Sequence, residues 1–325
     1  MIWGAGGEPL DLGVLPVHQQ SPGAFGMATG VSGDGLIVSG WSTPESSVLA
    51  RAFRWTASEG MINLGILPSE PNNQWSYAYG LSADGSTIVG ASSVLLGHTH
   101  AFRWTQALGM QDLGVLPGAI FSEASSASLD GSVIVGRCSY PVPGGCCRVM
   151  SAFRWAPEIG MRDLGSLSSG PDAFALASDV SDDGQVVVGA SGRWGVTSSA
   201  FLWHPAQGMV ALRTHLIQRG VDLAGWTEFF DYPKISGNGR FIAGAGLYNG
   251  ATTAFVADIG ELPPPPPVCG VADFFRDYNV NGADLGILLS QWGPSTAVTV
   301  ADLNDDGMVD GADLGVFLSL WGPCP

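Results

Sequence analysis

A motif of about 50 residues recurs five times along this chain and limits the folds open to it. Ala-Phe-Arg-Trp occurs at 52–55, 101–104 and 152–155, Ala-Phe-Leu-Trp at 200–203, and the weaker Ala-Phe-Val-Ala at 254–257. Successive phenylalanines are 48 to 54 residues apart. Self-similarity at this period indicates a series of equivalent units, each of which buries its apolar side against its neighbours.

Each copy has the composition of four short β-strands. An Asp-Gly or Asn-Gly pair separates two apolar runs, as in residues 82–90, and predicts a hairpin with a type I′ turn. In Ala-Phe-Arg-Trp, strand alternation places Phe and Trp on one face and Arg on the other. Four strands in about 40–50 residues are typical of a β-propeller blade, whereas β-helix and leucine-rich repeats are shorter. We therefore predict a mostly β fold in which residues 1–260 form an all-β propeller of about five four-stranded blades.

Residues 1–16 align with the second half of a repeat. Trp3 corresponds to Trp55, and residues 13–16 correspond to residues 65–68. The copy at 254–257 is not followed by the usual Gly-Met-Asp-Leu-Gly segment. We expect the N-terminal strand to complete the last blade, because joining the first and last strands removes the open edges of the ring. Alternatively, residues 1–3 belong to a sixth blade lost with a leader, and that would explain why no signal peptide is visible.

The spelling of the repeat resembles that of a known family. His100-Ala101-Phe102 and its variants, in which Arg51, Ser151 or Ser199 replaces the histidine, resemble the HAF repeats of bacterial extracellular proteins. The resemblance covers residues 1–260 and implies an extracellular or cell-surface location, but no particular reaction.

The charge of the chain is strongly negative and unevenly distributed. The net charge is −16, and Lys234 is the only lysine. Nucleic acid is excluded as a partner, because phosphate binding needs clusters of Lys and Arg. No apolar stretch approaches the ~20 residues of a membrane helix, so we predict no membrane span. Residues 268–325 carry eight acids and one base, a density of carboxylates that suits divalent cations.

Functional residues should occur where the copies differ. Residues that recur in every copy, such as Phe53, Trp55 and the Asp84-Gly85 pair, are predicted to serve packing and turns. The largest difference is an insertion at 137–149, which contains Cys138, Cys146 and Cys147. A local disulfide is favoured there over a metal site.

Other side chains in the repeats have several possible roles. His98 and His100 could chelate a metal, but without an adjacent carboxylate they are predicted to be surface loop residues. The recurring arginines could form a ring on one surface, but stacking on aromatic or acidic neighbours is favoured; they are Arg54, Arg103 and Arg154. A sugar-binding surface is a hypothesis for the aromatic and acidic residues of the last copy, Trp226, Glu228, Phe229, Phe230 and Asp231.

Beyond the repeats lies a proline-rich linker, 261–268, and then a small domain, 269–325. The five prolines at 263–267 predict a stiff spacer of about 16 Å. Residues 302–313 match a calcium-binding loop position by position, with Gly307 as the glycine at position 6. The predicted Ca²⁺ ligands are oxygens of Asp302, Asn304, Asp306, Met308, Asp310 and Asp313.

A weaker copy of this loop lies 29 residues earlier. Its predicted ligands are oxygens of Asp273, Asp277, Asn279, Asn281 and Asp284. Phe275 replaces the oxygen ligand at position 3, and Tyr278 replaces the glycine at position 6, where positive φ costs about 1 kcal/mol or more. We therefore expect the second loop to bind Ca²⁺ more tightly than the first.

Each loop leads into a helix with an apolar stripe, which contains Leu285, Leu288, Leu289 and Trp292 or Leu314, Phe317, Leu318 and Trp321. The two loop–helix units resemble the GC-type dockerin of planctomycete-like bacteria. The motifs that carry this resemblance are Gly-Ala-Asp-Leu-Gly at 282–286 and 311–315 and Trp-Gly-Pro-Cys at 321–324. The resemblance covers 269–325 and implies an EF-hand-like module that attaches the protein to a cohesin-like or surface-anchoring receptor. Cys269 and Cys324 bracket this domain and are predicted to form a disulfide.

These features predict a secreted or cell-surface bacterial protein with a binding or display role, for which a glycan is one candidate ligand. The alternative is a dockerin-tethered propeller enzyme, a glycoside hydrolase or lyase acting on polysaccharide. Paired carboxylates from different blades would favour the enzyme. The sequence assigns no catalytic residue and no cofactor other than Ca²⁺.

Overall fold

The computed structural model describes residues 2–3, 9–15, 25–43, 49–69, 74–141, 149–157, 159–170, 172–195, 197–262, 272–274, 279–294, 301–304 and 308–323. Strands account for 50% of the chain and helices for 11%, which confirms the mostly β class. The chain divides into two compact units. The first comprises Met1–Trp203 and Met209–Gly260, and the second comprises His204–Gly208 and Glu261–Pro325.

Antiparallel strands joined by short turns build the first unit. Its first two strands are β1 (Ile2–Trp3) and β2 (Pro9–Leu10). Four four-stranded repeats follow. Repeat I contains β3 (Phe25–Val31), β4 (Ile37–Thr43), β5 (Arg51–Thr56) and β6 (Gly60–Asn63). Repeat II contains β7 (Ser76–Leu81), β8 (Thr87–Ser93), β9 (Thr99–Thr105) and β10 (Gly109–Asp112). Repeat III contains β11 (Phe121–Ala127), β12 (Ile134–Ser139), β13 (Met150–Ala156) and β14 (Gly160–Asp163). Repeat IV contains β15 (Ala173–Val180), β16 (Val187–Arg193), β17 (Thr197–His204) and β18 (Gly208–Ala211).

Repeat V has three strands, β19 (Trp226–Ile235), β20 (Phe241–Tyr248) and β21 (Ala251–Asp258). The predicted closure of this repeat by the N-terminal strand is wrong for the described residues. Instead β1 and β2 pair with each other, and the Trp3↔Pro9 register repeats the Trp55↔Met61 register of repeat I. The alignment of the N-terminus with half a repeat is thus correct, but the half-repeat precedes repeat I and does not extend the sheet of repeat V.

The hydrophobic core lies between consecutive repeats. Ala52, Leu64 and Leu67 of repeat I pack with Ile88 and Phe102 of repeat II. Comparable clusters join repeat II to III and repeat III to IV. Because each sheet is buried on both faces, the Ala and the Phe of each Ala-Phe pair in repeats I to IV are at most 1% exposed. Neighbouring repeats therefore stabilise one another, as the repeat period predicts.

The turn between the first two strands has the same hydrogen bonds in every repeat. In repeat II, Ser82 Oγ donates to Asp84 Oδ1 (2.6 Å), Ser86 N–H donates to the same oxygen (2.8 Å), and Gly85 N–H donates to the Ser82 carbonyl (2.9 Å). Only the glycine has positive φ, +73° at Gly85, and the Asp does not. The predicted type I′ turn, which needs positive φ at both central residues, is therefore wrong. The aspartate instead holds the turn through side-chain hydrogen bonds.

A β-bulge interrupts the first strand of repeats I to IV. In repeat II the register shifts between Ala78 and Gly80, so Tyr79 is the extra residue. The facing strand carries a glycine there, and a Cβ on Gly90 would lie 1.9 Å from the Tyr77 carbonyl oxygen. The equivalent extra residues of the other three repeats are Thr29, Ser125 and Ser178. This close approach explains why the β-branched run of each second strand ends in glycine.

One helix, α1 (Leu212–Gln218), lies in the first unit and contradicts the all-β prediction for residues 1–260. Its buried residues are Leu212, His215 and Leu216, which have the i, i+3, i+4 spacing of a helix face. The imidazole Nε2 of His215 lies 3.1 Å from the Ile259 carbonyl oxygen. The segment contains no Gly or Pro, and this absence permits the helix.

The second unit has an internal two-fold repeat with an offset of 29 residues. Helices α2 (Gly282–Ser290) and α3 (Gly311–Ser319) are equivalent. Strand β22 (Asn279–Val280) pairs with β25 (Gly322–Pro323), and β23 (Gly293–Pro294) pairs with β24 (Met308–Val309). The buried core consists of three equivalent pairs, Ala272/Ala301, Val280/Val309 and Leu288/Phe317. Cys269, Cys324 and their predicted disulfide lie outside the described residues.

Candidate functional site

The second calcium-type loop ends at a buried carboxylate. Asp313 is 0% exposed in the first turn of α3. Its Oδ1 accepts the N–H groups of Leu303 (2.7 Å) and Asn304 (3.3 Å), and its Oδ2 accepts that of Asp310 (2.8 Å). Burial raises the pKa of Asp313, but these backbone hydrogen bonds outweigh it and lower the pKa below its usual value. The carboxylate is therefore ionised and ties both ends of the loop to the helix.

Five of the six ligands predicted for this loop lie among the described residues. Asp302 is partly buried, whereas Asn304 and Met308 are exposed. Asp310 is the N-cap of α3, and its Oδ1 accepts the Ala312 N–H (2.7 Å). Asp306 lies outside the described residues.

The first loop has the same framework. Asp273 is 4% exposed and Asp284 is 0% exposed. Asn281 caps α2 as Asp310 caps α3, and its N–H donates to Asp284 Oδ2 (3.0 Å). Asn279 lies in β22, so its backbone occupies the same place as that of Met308. Asp277 lies outside the described residues. The structure thus brings both loops into one fold although their ligand sets differ.

The donor chemistry of the loops fits Ca²⁺. The predicted ligands are carboxylate, amide and carbonyl oxygens, which Ca²⁺ prefers, and they include no nitrogen or sulfur. A buried carboxylate needs hydrogen bonds or a cation, and backbone N–H groups supply part of this at Asp284 and Asp313. Asp284 and Asp313 are both fully buried at the last position of their loops, where an EF-hand-type loop places an acidic ligand. When bound, Ca²⁺ would neutralise the acidic loop; Asp302, Asn304, Asp310, Asp313 and the Met308 carbonyl would hold it.

The helices of the second unit expose part of their apolar stripe. Leu289, Trp292, Leu318 and Trp321 are 52%, 50%, 53% and 49% exposed. The four residues form two equivalent pairs at the 29-residue offset. We call this set the exposed stripe.

A second candidate site is a pocket of about 320 Å³ among the first strands of repeats II to V. Its described lining residues are Tyr79, Glu123, Ser125, Arg137, Leu176, Ala177 and Tyr232. Tyr79 and Ser125 are the bulged residues of β7 and β11, so the bulge directs their side chains to the pocket.

An ion pair and a tyrosine dominate the polar side of this pocket. Glu123 and Arg137 are cross-strand neighbours, and Oε2 of Glu123 accepts the Nε (3.0 Å) and Nη2 (2.5 Å) groups of Arg137. Burial raises the pKa of Tyr79, and the Glu123 carboxylate raises it further. Its hydroxyl is therefore protonated at neutral pH and can donate a hydrogen bond.

Cys138 has a structural role. It is a free thiol with 0% exposure, so the predicted local disulfide does not include it. Its sulfur accepts the Leu116 N–H (3.4 Å), as Ser92 and Ser191 accept a leucine N–H in repeats II and IV. Alignment of the repeats could have indicated this role, because Cys138 takes the place of those serines. Cys146 and Cys147 lie outside the described residues.

The other residues considered in the sequence mostly serve the fold. Of the predicted sugar surface, Phe229 is buried, Trp226 and Phe230 are partly buried, and Glu228 is exposed; the side chain of Asp231 lies outside what the structure describes. Trp226 packs against Phe229, Tyr248 and Phe255. His98 contacts the Phe121 ring, and His100 lies 2.8 Å from Asp112, a carboxylate that the sequence analysis had missed.

Two of the three recurring arginines contact an acidic or aromatic neighbour, as predicted, and the third contacts a backbone carbonyl. Arg54 pairs with Glu59 (2.5 Å), and Arg103 lies over the Trp155 ring (5.3 Å). Arg154 donates from Nε to the Gly184 carbonyl (3.2 Å). These contacts favour the structural interpretation of the arginines.

Comparison with known proteins finds likeness only among solved structures. No family model and no curated protein matches the chain. It is similar to TolB from Acinetobacter baumannii (12% identity, TM-score 0.45), a putative TolB from Agrobacterium tumefaciens (15%, 0.45) and the β-propeller domain of the Trilobed protease from Pyrococcus furiosus (12%, 0.45). The alignments cover 72%, 72% and 73% of this chain and 52%, 77% and 68% of those structures. The chain thus spans about half of the Acinetobacter protein, and these likenesses assign it no ligand and no activity.

Membrane insertion by a helix finds no support in the described part of the chain, where no helix is long and apolar enough to span a bilayer.

Proposed function

We propose that this is a bacterial secreted or cell-surface binding protein. Residues 1–260, with their five antiparallel repeats, are an open β-propeller that binds the ligand. Residues 269–325 are a dockerin-type module that attaches the protein to a cohesin-like or surface receptor and depends on Ca²⁺. Residues 261–268 link the two domains.

The observation that carries the calcium proposal is the two-fold arrangement of the loops. Asp284 and Asp313 are equivalent and fully buried, and each accepts a backbone N–H of its own loop. We infer that the remaining oxygens of each loop face a common centre, where hard oxygens in this number suit Ca²⁺. Metal binding by such a small module contributes directly to its folding free energy.

The exposed stripe supports the attachment role. A unit of this size normally buries its large apolar side chains, and exposed apolar groups that recur on both helices are typical of an interaction surface. Because the stripe is duplicated at the 29-residue offset, a receptor with an apolar groove has two equivalent helices to bind.

The pocket in the repeats favours binding over hydrolysis. Glycoside hydrolysis uses two carboxylates, one on each side of the scissile bond. Among the described lining residues of this pocket, Glu123 is the only carboxylate, and it is paired with Arg137. A tethered polysaccharide enzyme is therefore the second choice.

Calorimetric titration of the full chain with Ca²⁺ tests the proposal. We expect one tight site, in the loop 302–313, and we expect Asp310→Asn to weaken it by about tenfold or more, because the charge of the ligand set tunes affinity. This variant keeps the N-cap, since Asn281 caps α2 in the same way. Asp284→Ala, which removes a predicted ligand of the first loop, should leave the tight site intact.

Attachment is tested in the same chain. Bacterial cells should retain the protein in Ca²⁺ and release it on addition of a chelator, and Trp321→Ala should reduce retention without changing Ca²⁺ binding. Two equally tight sites would contradict the ranking of the loops, and no binding of Ca²⁺ would contradict the calcium-dependent module itself. If cells retain the same amount of protein with and without the chelator, and retain Trp321→Ala as well as wild type, the attachment role is contradicted.

A further inference from the structure

The ion pair in the pocket leaves a donor and an acceptor side by side. Both contacts of Arg137 are made to Oε2 of Glu123. Among the described residues, Oε1 of Glu123 and Nη1 of Arg137 have no protein partner. The two side chains are cross-strand neighbours on β11 and β12, so the sheet holds them in register. A carboxylate oxygen beside a guanidinium N–H can bind two adjacent hydroxyl groups, one as donor and the other as acceptor.

Two aromatic rings also line the pocket. Tyr79 is 36% exposed and Tyr232 is 63% exposed. The Tyr79 ring is parallel to that of Tyr77 (3° between planes, centroids 6.2 Å apart), and Tyr77 contacts Trp41 (5.1 Å) and Trp75 (5.2 Å). Packing from behind holds Tyr79 in place. An exposed ring of this kind offers a flat apolar face with a polar rim to a ligand that has both C–H and O–H groups.

The charges around the pocket favour a neutral ligand. Glu123 and Arg137 cancel each other, and Nζ of the nearby Lys234 lies 4.0 Å from Asp179 Oδ1. The chain as a whole carries −16, which opposes the approach of a polyanion. The volume of about 320 Å³ lies at the lower end of the roughly 300–1,000 Å³ usual for ligand pockets, so the ligand is small or enters by one end.

We propose that this pocket binds a neutral saccharide, whose adjacent hydroxyls bind Glu123 and Arg137 and whose C–H face packs on Tyr79 or Tyr232. The inference rests on the proposed binding function and specifies its ligand class and site. It also proposes a sugar-binding surface other than the predicted one around Trp226, whose ring packs against Phe229, Tyr248 and Phe255.

The test uses the full chain in Ca²⁺-containing buffer. An array of immobilised neutral oligosaccharides, acidic oligosaccharides and peptides identifies the ligand class, and calorimetry with the strongest neutral oligosaccharide measures affinity. Glu123→Gln should weaken binding by about tenfold or more, the loss expected for one hydrogen bond to a charged group. Tyr232→Ala, at a largely exposed position, should weaken it about twofold to tenfold.

Matched controls exist elsewhere in the repeats. Glu59→Gln alters the other Arg–Glu ion pair, and Trp194→Ala removes an exposed aromatic ring of repeat IV that does not line the pocket. Both should leave affinity unchanged. A neutral saccharide that binds wild type and both pocket variants equally would overturn the proposal, as would an array in which only acidic glycans, only peptides or nothing binds.

The Ca²⁺ titration separates this inference from the attachment role. A chain that binds Ca²⁺ in residues 302–313 but no neutral saccharide refutes the pocket alone. A chain that binds a neutral saccharide through Glu123 but no Ca²⁺ refutes the module alone.

Discussion

Substituting alanine for Gly136 tests how the repeats are built. Gly136 lies on β12, and a Cβ there would be 2.0 Å from the Glu123 carbonyl oxygen and 2.9 Å from Ala124 Cα. Real Cβ contacts are longer than 3.0 Å, so β11 must move by about 1 Å. Overpacking of this size costs about 1–3 kcal/mol, and one lost ladder hydrogen bond adds about 1 kcal/mol. We expect Gly136→Ala to lower the free energy of unfolding by about 2–4 kcal/mol in urea denaturation.

Gly165→Ala is the matched control in the same repeat. No atom lies within 4 Å of its Cβ position, but φ is +81°. Only backbone strain opposes an alanine there, at about 1–2 kcal/mol. Gly136→Ala should also weaken ligand binding, because the displaced strand carries Glu123 and Ser125, whereas Gly165→Ala should not. Equal destabilisation by the two changes, together with unchanged ligand affinity in Gly136→Ala, would refute the role given to the bulge.

Three further predictions concern single side chains. Cys138→Ser should change the unfolding free energy by less than about 1 kcal/mol, because serine accepts the equivalent leucine N–H in repeats II and IV. Burial raises the pKa of the Cys138 thiol to about 12, so iodoacetamide should label this residue only after unfolding. Hydrogen bonds from Arg240 lower the pKa of Asp258 from 3.8 to about 2. The ionised Asp258 carboxylate therefore contributes to stability above about pH 4, and this contribution is lost as the pH falls to about 2. Asp258→Asn should remove this contribution from the acid unfolding transition measured by circular dichroism. Gly286 lies in α2 with open space at its Cβ position. Because alanine favours a helix more than glycine does, Gly286→Ala should stabilise the second unit by roughly 0.5–1 kcal/mol in chemical denaturation.

The period of the sequence was sufficient to predict the strands of the repeats. Ala-Phe-Arg-Trp forms the third strand of repeats I to III, and Gly-Met opens the fourth strand. Local patterns decide these elements, because alternation and turn residues act over a few positions. The N-terminal half-repeat also has the predicted register.

Features that depend on tertiary contacts were missed. The predicted turn type was wrong because hydrogen bonds to the Asp84 side chain, from Ser82 and Ser86, stabilise a turn in which Asp84 does not have positive φ. Closure of repeat V was wrong because matching half-repeats does not determine which sheet edge they join. The repeat pattern does not predict helix α1, because residues 212–218 lie outside the pattern.

The proposed calcium loop was identified from spacing alone, since a calcium loop places its ligands at fixed positions in one segment. The burial of Asp273 and Asp284 was not, because it depends on the packing of two copies against each other. Phe274 and Leu303, at equivalent positions, pack against the shared core beside the first and second loops. The framework of the weaker loop is thus maintained by the stronger copy, whatever its own affinity for Ca²⁺.

The pocket shows how variation within the repeat separates function from fold. In repeats I to IV, the residue four positions before the first serine of the turn is an alanine, and this alanine is buried in repeats II to IV. In repeat V the same position is Tyr232, which is 63% exposed. The residue three positions before that serine, which is the bulged residue in repeats I to IV, differs between repeats: Thr29, Tyr79, Ser125, Ser178 and Pro233. The residue five positions before it also differs: Met27, Tyr77, Glu123, Leu176 and Asp231. The register of β19 shifts over a longer segment, between Phe230 and Lys234, so the tyrosine leaves the core position that alanine keeps elsewhere. The glycine and the bulge are needed by the sheet, but the side chains that the bulge directs to the pocket are not. Among the bulged residues, Tyr79 and Ser125 line the pocket, whereas Thr29 and Ser178 donate hydrogen bonds to the carbonyls of Ala78 (2.9 Å) and Pro233 (2.6 Å) in the following repeat. Variation at one strand position thus serves the fold in some copies and, under the proposed function, the ligand in others.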